Sequence, residues 1–266
     1  MRKVYRDIDS SAYWEKRWRE AGVDKDHFDN LEIYPIKYAR QTIKDKREKI
    51  LECGCGLGRV LLHYHNQGYD ITGIEYDRGA VEKIKKKYPE IKVMQGDVRK
   101  LPFKNGSFDT IVAFGLYHSL ENGIPEAVRE TLRCLKKGGR LCATVRADNF
   151  ENYIGDKIRA FKNRNKKHDK FYKWSFKPRE FAKILENEGL RIESVQVVTN
   201  MPFLFKVKML RKKELQKIDE STESIEPAAR SEGFKLNRLG NLIYKILTSL
   251  FPNSFGNVVV VIGEKK

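Results

Sequence analysis

The chain has 266 residues, 40% of them hydrophobic and 33% charged, with a formal net charge of +17. One elaborated α/β core fits that length, while four cysteines without metal-ligand spacing (Cys53, Cys55, Cys134, Cys142) exclude a disulfide framework or zinc knuckle and read as reduced, space-filling thiols. The longest apolar run, residues 258–262, is too short to cross a bilayer, and no apolar stretch follows Met1-Arg2-Lys3, so a cytoplasmic protein is expected, with peripheral attachment to a membrane surface as an option.

In chain order, the first fifty residues are polar and predicted helical, with Trp14 and Trp18 on one helical face beside Tyr13, as in a lid over residues 1–45. From Lys49 the pattern becomes strand, glycine turn, helix. Strands are predicted at 49–53, 70–75, 91–95, 109–114 and 140–145, and helices at 59–67, 78–87 and 124–135. A helix at 178–189 and strands at 191–198 and 258–263 follow. This alternation predicts an α/β chain with a doubly wound parallel sheet. The core is assigned to 46–200 and 257–266, and residues 201–256 form an insertion before the last strand. Its polar middle, 219–232, reads as loop, and its end, 236–251, as an amphipathic helix with Leu239, Leu242, Ile243, Ile246, Leu247 and Leu250 on one stripe. Packing over the sheet edge or substrate cleft, or lying in a membrane interface, both suit such a helix.

Charge is uneven. Between Gly155 and Glu180 ten basic residues face three acids, interleaved with Phe161, Phe171, Tyr172, Trp174 and Phe176. Such a segment suits an anionic surface, whether nucleic acid, lipid headgroup or charged small acceptor; equally, it is a solvated linker whose aromatics dock on the core.

The chemistry is concentrated in three strand ends. Glu52-Cys53-Gly54-Cys55-Gly56-Leu57-Gly58 lies between an apolar strand and a helix, where glycines let a ligand approach the backbone and the helix offers free N–H groups. A dinucleotide fingerprint requires a third glycine where Arg59 stands, which points away from a pyrophosphate and towards a cofactor bearing a carboxylate. Glu75 ends the second strand, placed to accept from ribose hydroxyls, an arrangement that nicotinamide enzymes share. Asp97, in Gln95-Gly96-Asp97-Val98, ends the third strand, positioned for an adenine amino group.

Together, E-C-G-C-G-L-G, G-I-E, G-D-V-R-K-L-P-F, N-G-S-F-D-T-I-V and the later L-K-K-G-G-R-L-C-A-T-V resemble the class I S-adenosylmethionine-dependent methyltransferases, particularly the branch with the ubiquinone and menaquinone biosynthesis enzymes. The resemblance covers about residues 45–146. It implies a Rossmann-like seven-stranded sheet with its last strand antiparallel, and S-adenosyl-L-methionine as cofactor. It also implies that Gly54, Gly56 and Gly58 line the methionine end, with Glu52 beside them. Glu75 holds the ribose, with its neighbour Tyr76 also a cofactor-binding candidate, Asp97 and Val98 hold the adenine, and Phe114 closes the pocket. The family often has Asp at the Glu75 position and other small residues in place of Cys53 and Cys55. Methyl transfer by in-line displacement depends on alignment, worth roughly 7–11 kcal/mol, and requires no protein nucleophile or metal. A base would assist an acceptor that must lose a proton. The family places this region after the fourth strand, where Tyr117, His118 and Ser119 stand, so His118 and Tyr117 are the catalytic candidates; Tyr13, Trp14 and Trp18 are candidates for covering cofactor or acceptor. A small-molecule or lipid- or glycan-linked acceptor under a lid formed by 201–256 is expected. The alternatives are RNA (tRNA) or protein methylation through 156–179, and a cofactor-binding scaffold without catalysis.

Overall fold

The computed structural model describes residues 1–23, 30–199, 203–215, 235–251 and 254–266. The chain opens with strand β1 (Arg2–Arg6) and helix α1 (Ser10–Glu20), whose first turn is capped by Asp9, Oδ1 accepting from Ala12 N at 2.8 Å. Helix α2 (Ile36–Thr42) leads into the alternating core: β2 (Lys49–Cys53), α3 (Arg59–Asn66), β3 (Asp70–Glu75), α4 (Arg78–Lys87), β4 (Val93–Gln95), β5 (Phe108–Phe114), α5 (Ile124–Cys134) and β6 (Leu135–Arg146). Then come α6 (Phe150–Lys162), β7 (Lys170–Ser175), α7 (Pro178–Asn187), β8 (Leu190–Val198), α8 (Arg238–Leu250) and β9 (Val258–Lys265).

Seven strands form one sheet in the order β4-β3-β2-β5-β6-β9-β8. The pairs from β4 to β6 are parallel, and β9 is antiparallel to both its neighbours, as expected for the last strand. From β2 the chain steps outward to β3 and β4 and then crosses back to β5. The carboxyl ends of β2 and β5 therefore flank the switch point where α/β sheets bind ligands.

The two-residue period of the strands sorts the core into layers. Leu51, Ile111, Ala113, Leu141, Ala143 and Val259 face α5 and α7 through Val128, Leu132, Phe181 and Leu185. Ile50, Ile71 and Val93 face α2, α3 and α4, and Val112, Cys142 and Val260 pack with Tyr38. All four cysteines are buried, and burial pushes the Cys142 thiol up to about 12. Such thiols stay protonated and act as filling.

Two expectations are corrected. Residues 1–45 are not simply a helical layer, because β1 pairs antiparallel with β7 in a second small sheet, Arg2 opposite Ser175 and Arg6 opposite Lys170. The sequence of β1, Arg-Lys-Val-Tyr-Arg, hides this because only Val4 is buried. The basic segment is not a linker either. It contains the end of α6 and all of β7, with Phe171 and Phe176 buried and Phe161 left 67% exposed.

In the insertion, residues 219–232 lie outside the described residues. Helix α8 rests on residues 203–215, where a Cβ at Gly240 would meet the Leu210 carbonyl at 2.8 Å; only glycine permits that approach. Ile243 and Tyr244 join Leu204, Phe205, Leu210 and Leu236 beneath it. Of the rest of the predicted stripe, Leu247 is half-buried, while Leu239, Leu242, Ile246 and Leu250 are exposed. Among the described residues no helix is long and apolar enough to cross a membrane.

Candidate cofactor and acceptor site

Beyond β2 the chain turns through Gly54, Gly56 and Gly58 at φ +71°, +56° and +88°, left-handed values that side chains resist. Gly54 N and Cys55 N both donate to Ile74 O, at 2.8 and 3.1 Å, which ties this loop to β3. At the end of β3, Glu75 completes the tie: Oε2 accepts from Gly56 N at 2.9 Å and Oε1 from Asp77 N at 3.1 Å. Burial raises the Glu75 pKa, opposed by its backbone hydrogen bonds. A carboxylate offers about four acceptor positions. The backbone amides of Gly56, Asp77 and Tyr76 bear on this carboxylate, and part of its acceptor capacity remains.

The turn after β4 carries Asp97, whose two oxygens accept from Arg99 Nε at 3.0 Å, with Arg99 Nη2 at 2.6 Å from Oδ2. That guanidinium holds the Asp97 carboxyl below the ordinary range. Val98 beside it is buried. Glu52 is buried at the end of β2, Phe114 ends β5, and Tyr76 is largely exposed; all three line the same space.

That space is a cavity of about 1020 Å³ at the carboxyl ends of β2 to β6. Its size matches a site for a drug-sized ligand. Helix α1 roofs it. Trp14 and Trp18 stack at 5.0 Å, confirming the shared face, and Tyr13 meets Trp14 edge-on at 5.2 Å. The Trp18 ring lies where a Gly56 Cβ would come within 2.8 Å, so the indole covers the glycine loop directly. Trp14 Nε1 donates to Ser119 Oγ at 3.2 Å, joining roof to wall.

The turn after β5 separates the two catalytic candidates. Tyr117 faces the core, fully buried against Phe181, and its hydroxyl donates to Thr131 Oγ1 at 2.9 Å. It does not line the cavity, which removes it from the candidates: successive residues of a tight turn point to different sides. His118 is brought into the wall, only 7% exposed, with no partner for Nδ1 among the described residues. Burial, then the charges of Arg146 and Lys173, press its pKa well below the ordinary value, so the imidazole is neutral at pH 7, and the same surroundings oppose its protonation.

The sequence reading missed Arg6, Arg146 and Lys173. Arg146 closes β6, and its position at a strand's carboxyl end was the available signal. Arg6 and Lys173 gave none, because the β1–β7 pairing that brings them inward was not visible. Lys173 is 8% exposed and lies 3.4 Å from Asp156. Burial brings its pKa down to about 7, against the opposing pull of Asp156. Among the described residues no group of His, Cys, Asp and Glu is placed to hold a metal ion.

Comparison with known proteins finds that residues 51–143 match the family model of the methyltransferase domain. A demethylmenaquinone methyltransferase of Paenarthrobacter aurescens is 34% identical over 95 residues, 35% of this chain. The matched stretch spans only 37% of that relative's length. Among solved structures, an S-adenosylmethionine-dependent methyltransferase of Archaeoglobus fulgidus superposes with a TM-score of 0.59 at 14% identity, covering 97% of this chain and 100% of the other. One from Methanosarcina mazei gives 0.57 at 16% identity, covering 88% and 98%. At such identity these likenesses speak for the fold. Residues 51–143 are thus similar to the methyltransferase-domain family, and the sheet that carries them shares its fold with these solved S-adenosylmethionine-dependent methyltransferases.

Proposed function

We propose that the protein is an S-adenosylmethionine-dependent methyltransferase (EC 2.1.1) for a small-molecule or lipid-linked acceptor. The observation that carries this reading is the joining of Glu75 to the Gly56 amide at the mouth of the 1020 Å³ cavity, which places an ionisable acid beside a bare backbone loop at the switch point. The residues fit the cofactor: a loop held in glycine-only conformation for its amino-acid end, Glu75 with spare acceptor capacity for its ribose, and Asp97 with Val98 for its adenine. Glu52 and Phe114 complete this wall, with Tyr76 at the rim.

When bound, S-adenosylmethionine supplies a methyl group on a sulfonium, which passes to the acceptor while the bonding electron pair returns to sulfur. The chain's own task is alignment and exclusion of water. Tyr13, Trp14 and Trp18 exclude water from above, so residues 1–45 act as a lid. His118, neutral and in the wall, takes the acceptor's proton where one must leave.

The lipid-linked form of this reading draws support from α8. Its exposed Leu239, Leu242, Ile246 and Leu250 are bordered by Arg238 and Lys245, the pattern of a helix resting on an anionic lipid interface. Residues 201–256 are then the acceptor lid. Nucleic acid is less well supported: with Phe171 and Phe176 buried, the basic segment lacks the row of open aromatic faces on which bases stack. Methyl-labelled S-adenosylmethionine incubated with the protein and either a lipid extract or total RNA of the source organism tests the choice. Label is expected in the organic phase; label confined to RNA contradicts the acceptor class.

A further inference from the structure

A second cavity of about 280 Å³ adjoins the first, and the two share Tyr13, Trp14, His118, Ser119, Arg146 and Asn257. Its outer wall is cationic. Arg6 from β1, Arg146 from β6, Arg159 from α6 and Lys173 from β7 line it, against two acids, Glu151 and Asp156. Both acids are engaged: Asp156 with Arg2 at 3.1 Å and Lys173 at 3.4 Å, and Glu151 accepting from Gly256 N at 2.8 Å. Arg146 and Arg159 have no carboxylate partner among the described residues. Arg6 is stacked on the Tyr172 ring, 3.4 Å from its centroid, an arrangement that leaves the in-plane N–H donors of a guanidinium open.

Resting on the methyltransferase reading, we propose that this chamber receives an oxyanion of the methyl acceptor, a phosphate or carboxylate held by Arg6, Arg146, Arg159 and Lys173. The atom to be methylated then lies on the His118 side, where the two cavities meet. Lys173 is buried and Arg6 and Arg146 are half-buried, with Arg159 at the exposed rim, and cations sheltered in this way are stabilised by an opposite charge that the two engaged acids supply only in part. The depressed pKa of Lys173 agrees, because an oxyanion at this place restores the ammonium form and relieves the pressure on the His118 imidazole. Guanidinium groups pair with phosphate and carboxylate through two parallel N–H bonds, which fixes orientation as well as charge.

The test is calorimetric titration of the full chain with inorganic phosphate, malonate and dihexanoyl phosphatidic acid, at constant ionic strength and with S-adenosylhomocysteine present. Arg159→Met and Lys173→Met are compared with wild type, since both residues lie outside the larger cavity. Arg159 is exposed on α6, so its replacement keeps the test open if Lys173→Met does not fold. Saturable binding of at least one anion, weakened about tenfold or more in Arg159→Met with unchanged affinity for S-adenosylhomocysteine, is the expected result. Tighter binding of the phosphatidic acid than of inorganic phosphate assigns the oxyanion to a lipid; equal binding assigns it to a soluble acceptor. No anion binding by wild type, or equal binding by the variants, overturns the proposal. Absence of S-adenosylhomocysteine binding while anions still bind counts against the cofactor reading alone.

Discussion

Lys173 stands where a strand residue is ordinarily apolar, and its burial carries a measurable consequence. Its pKa is about 7 in the folded chain against an ordinary 10.5. Below pH 7 both folded and unfolded chains hold the proton, and the full burial penalty weighs on the fold. Between about 7 and 10.5 the unfolded chain binds more protons, so this group makes stability rise with pH across that window. Lys173→Met keeps the volume and removes the charge, while Arg2 still partners Asp156 at 3.1 Å. Its thermal midpoint relative to wild type is expected to be higher at pH 6 than at pH 9. A difference that does not vary with pH contradicts a buried, titrating lysine. The places of Glu75 and Asp97 at strand ends beside the larger cavity were legible from the sequence, because each acid closes an apolar run. Tyr117 and His118 could not be separated in that way: both follow β5, and only the turn decides that the phenol enters the core and the imidazole the cavity. A sequence pattern records neighbours along the chain, whereas the chamber around His118 is assembled from β1, β6, α6 and β7.

Elements with strong periodicity were legible, several of them to the residue. Strands β2 and β3 and helix α4 run over the predicted residues, because apolar alternation, glycine turns and the Asp77 cap agree there. Strands β1 and β7 escaped because each is short and carries charges on both faces, so that pairing across the chain, and not local pattern, makes them strands. Helix α8 shows a different limit. Its apolar period was plain, yet periodicity cannot say which part of a wide stripe is covered, and four residues of it face outward. If this face meets an anionic lipid surface, replacing Leu242 and Ile246, 56% and 49% exposed, with Asp should abolish co-sedimentation with vesicles of phosphatidylglycerol. Stability should change by less than about 0.5 kcal/mol per site, as for other exposed positions. Vesicle binding equal to wild type would remove α8 as a membrane contact.

At the scale of the molecule, the sheet supplies a switch point, α1 a roof and the β1–β7 sheet a basic flank, so that the larger cavity and the smaller chamber meet at His118. The net charge of +17 is in keeping with this division, since its densest segment, around α6 and β7, borders the smaller chamber. A positive field of that kind raises the local concentration of anionic acceptors and weakens with salt. On the proposed function, the larger cavity holds S-adenosylmethionine through Glu75. Titration calorimetry with S-adenosylhomocysteine tests it most directly, comparing wild type with Glu75→Ala at pH 7 and checking the fold of each by circular dichroism. Saturable one-site binding by wild type is expected. Loss of the charge-assisted bonds should weaken Glu75→Ala by about 1.5–3 kcal/mol, roughly ten- to 150-fold. No binding by wild type at millimolar ligand, or equal affinity in the folded variant, would contradict it.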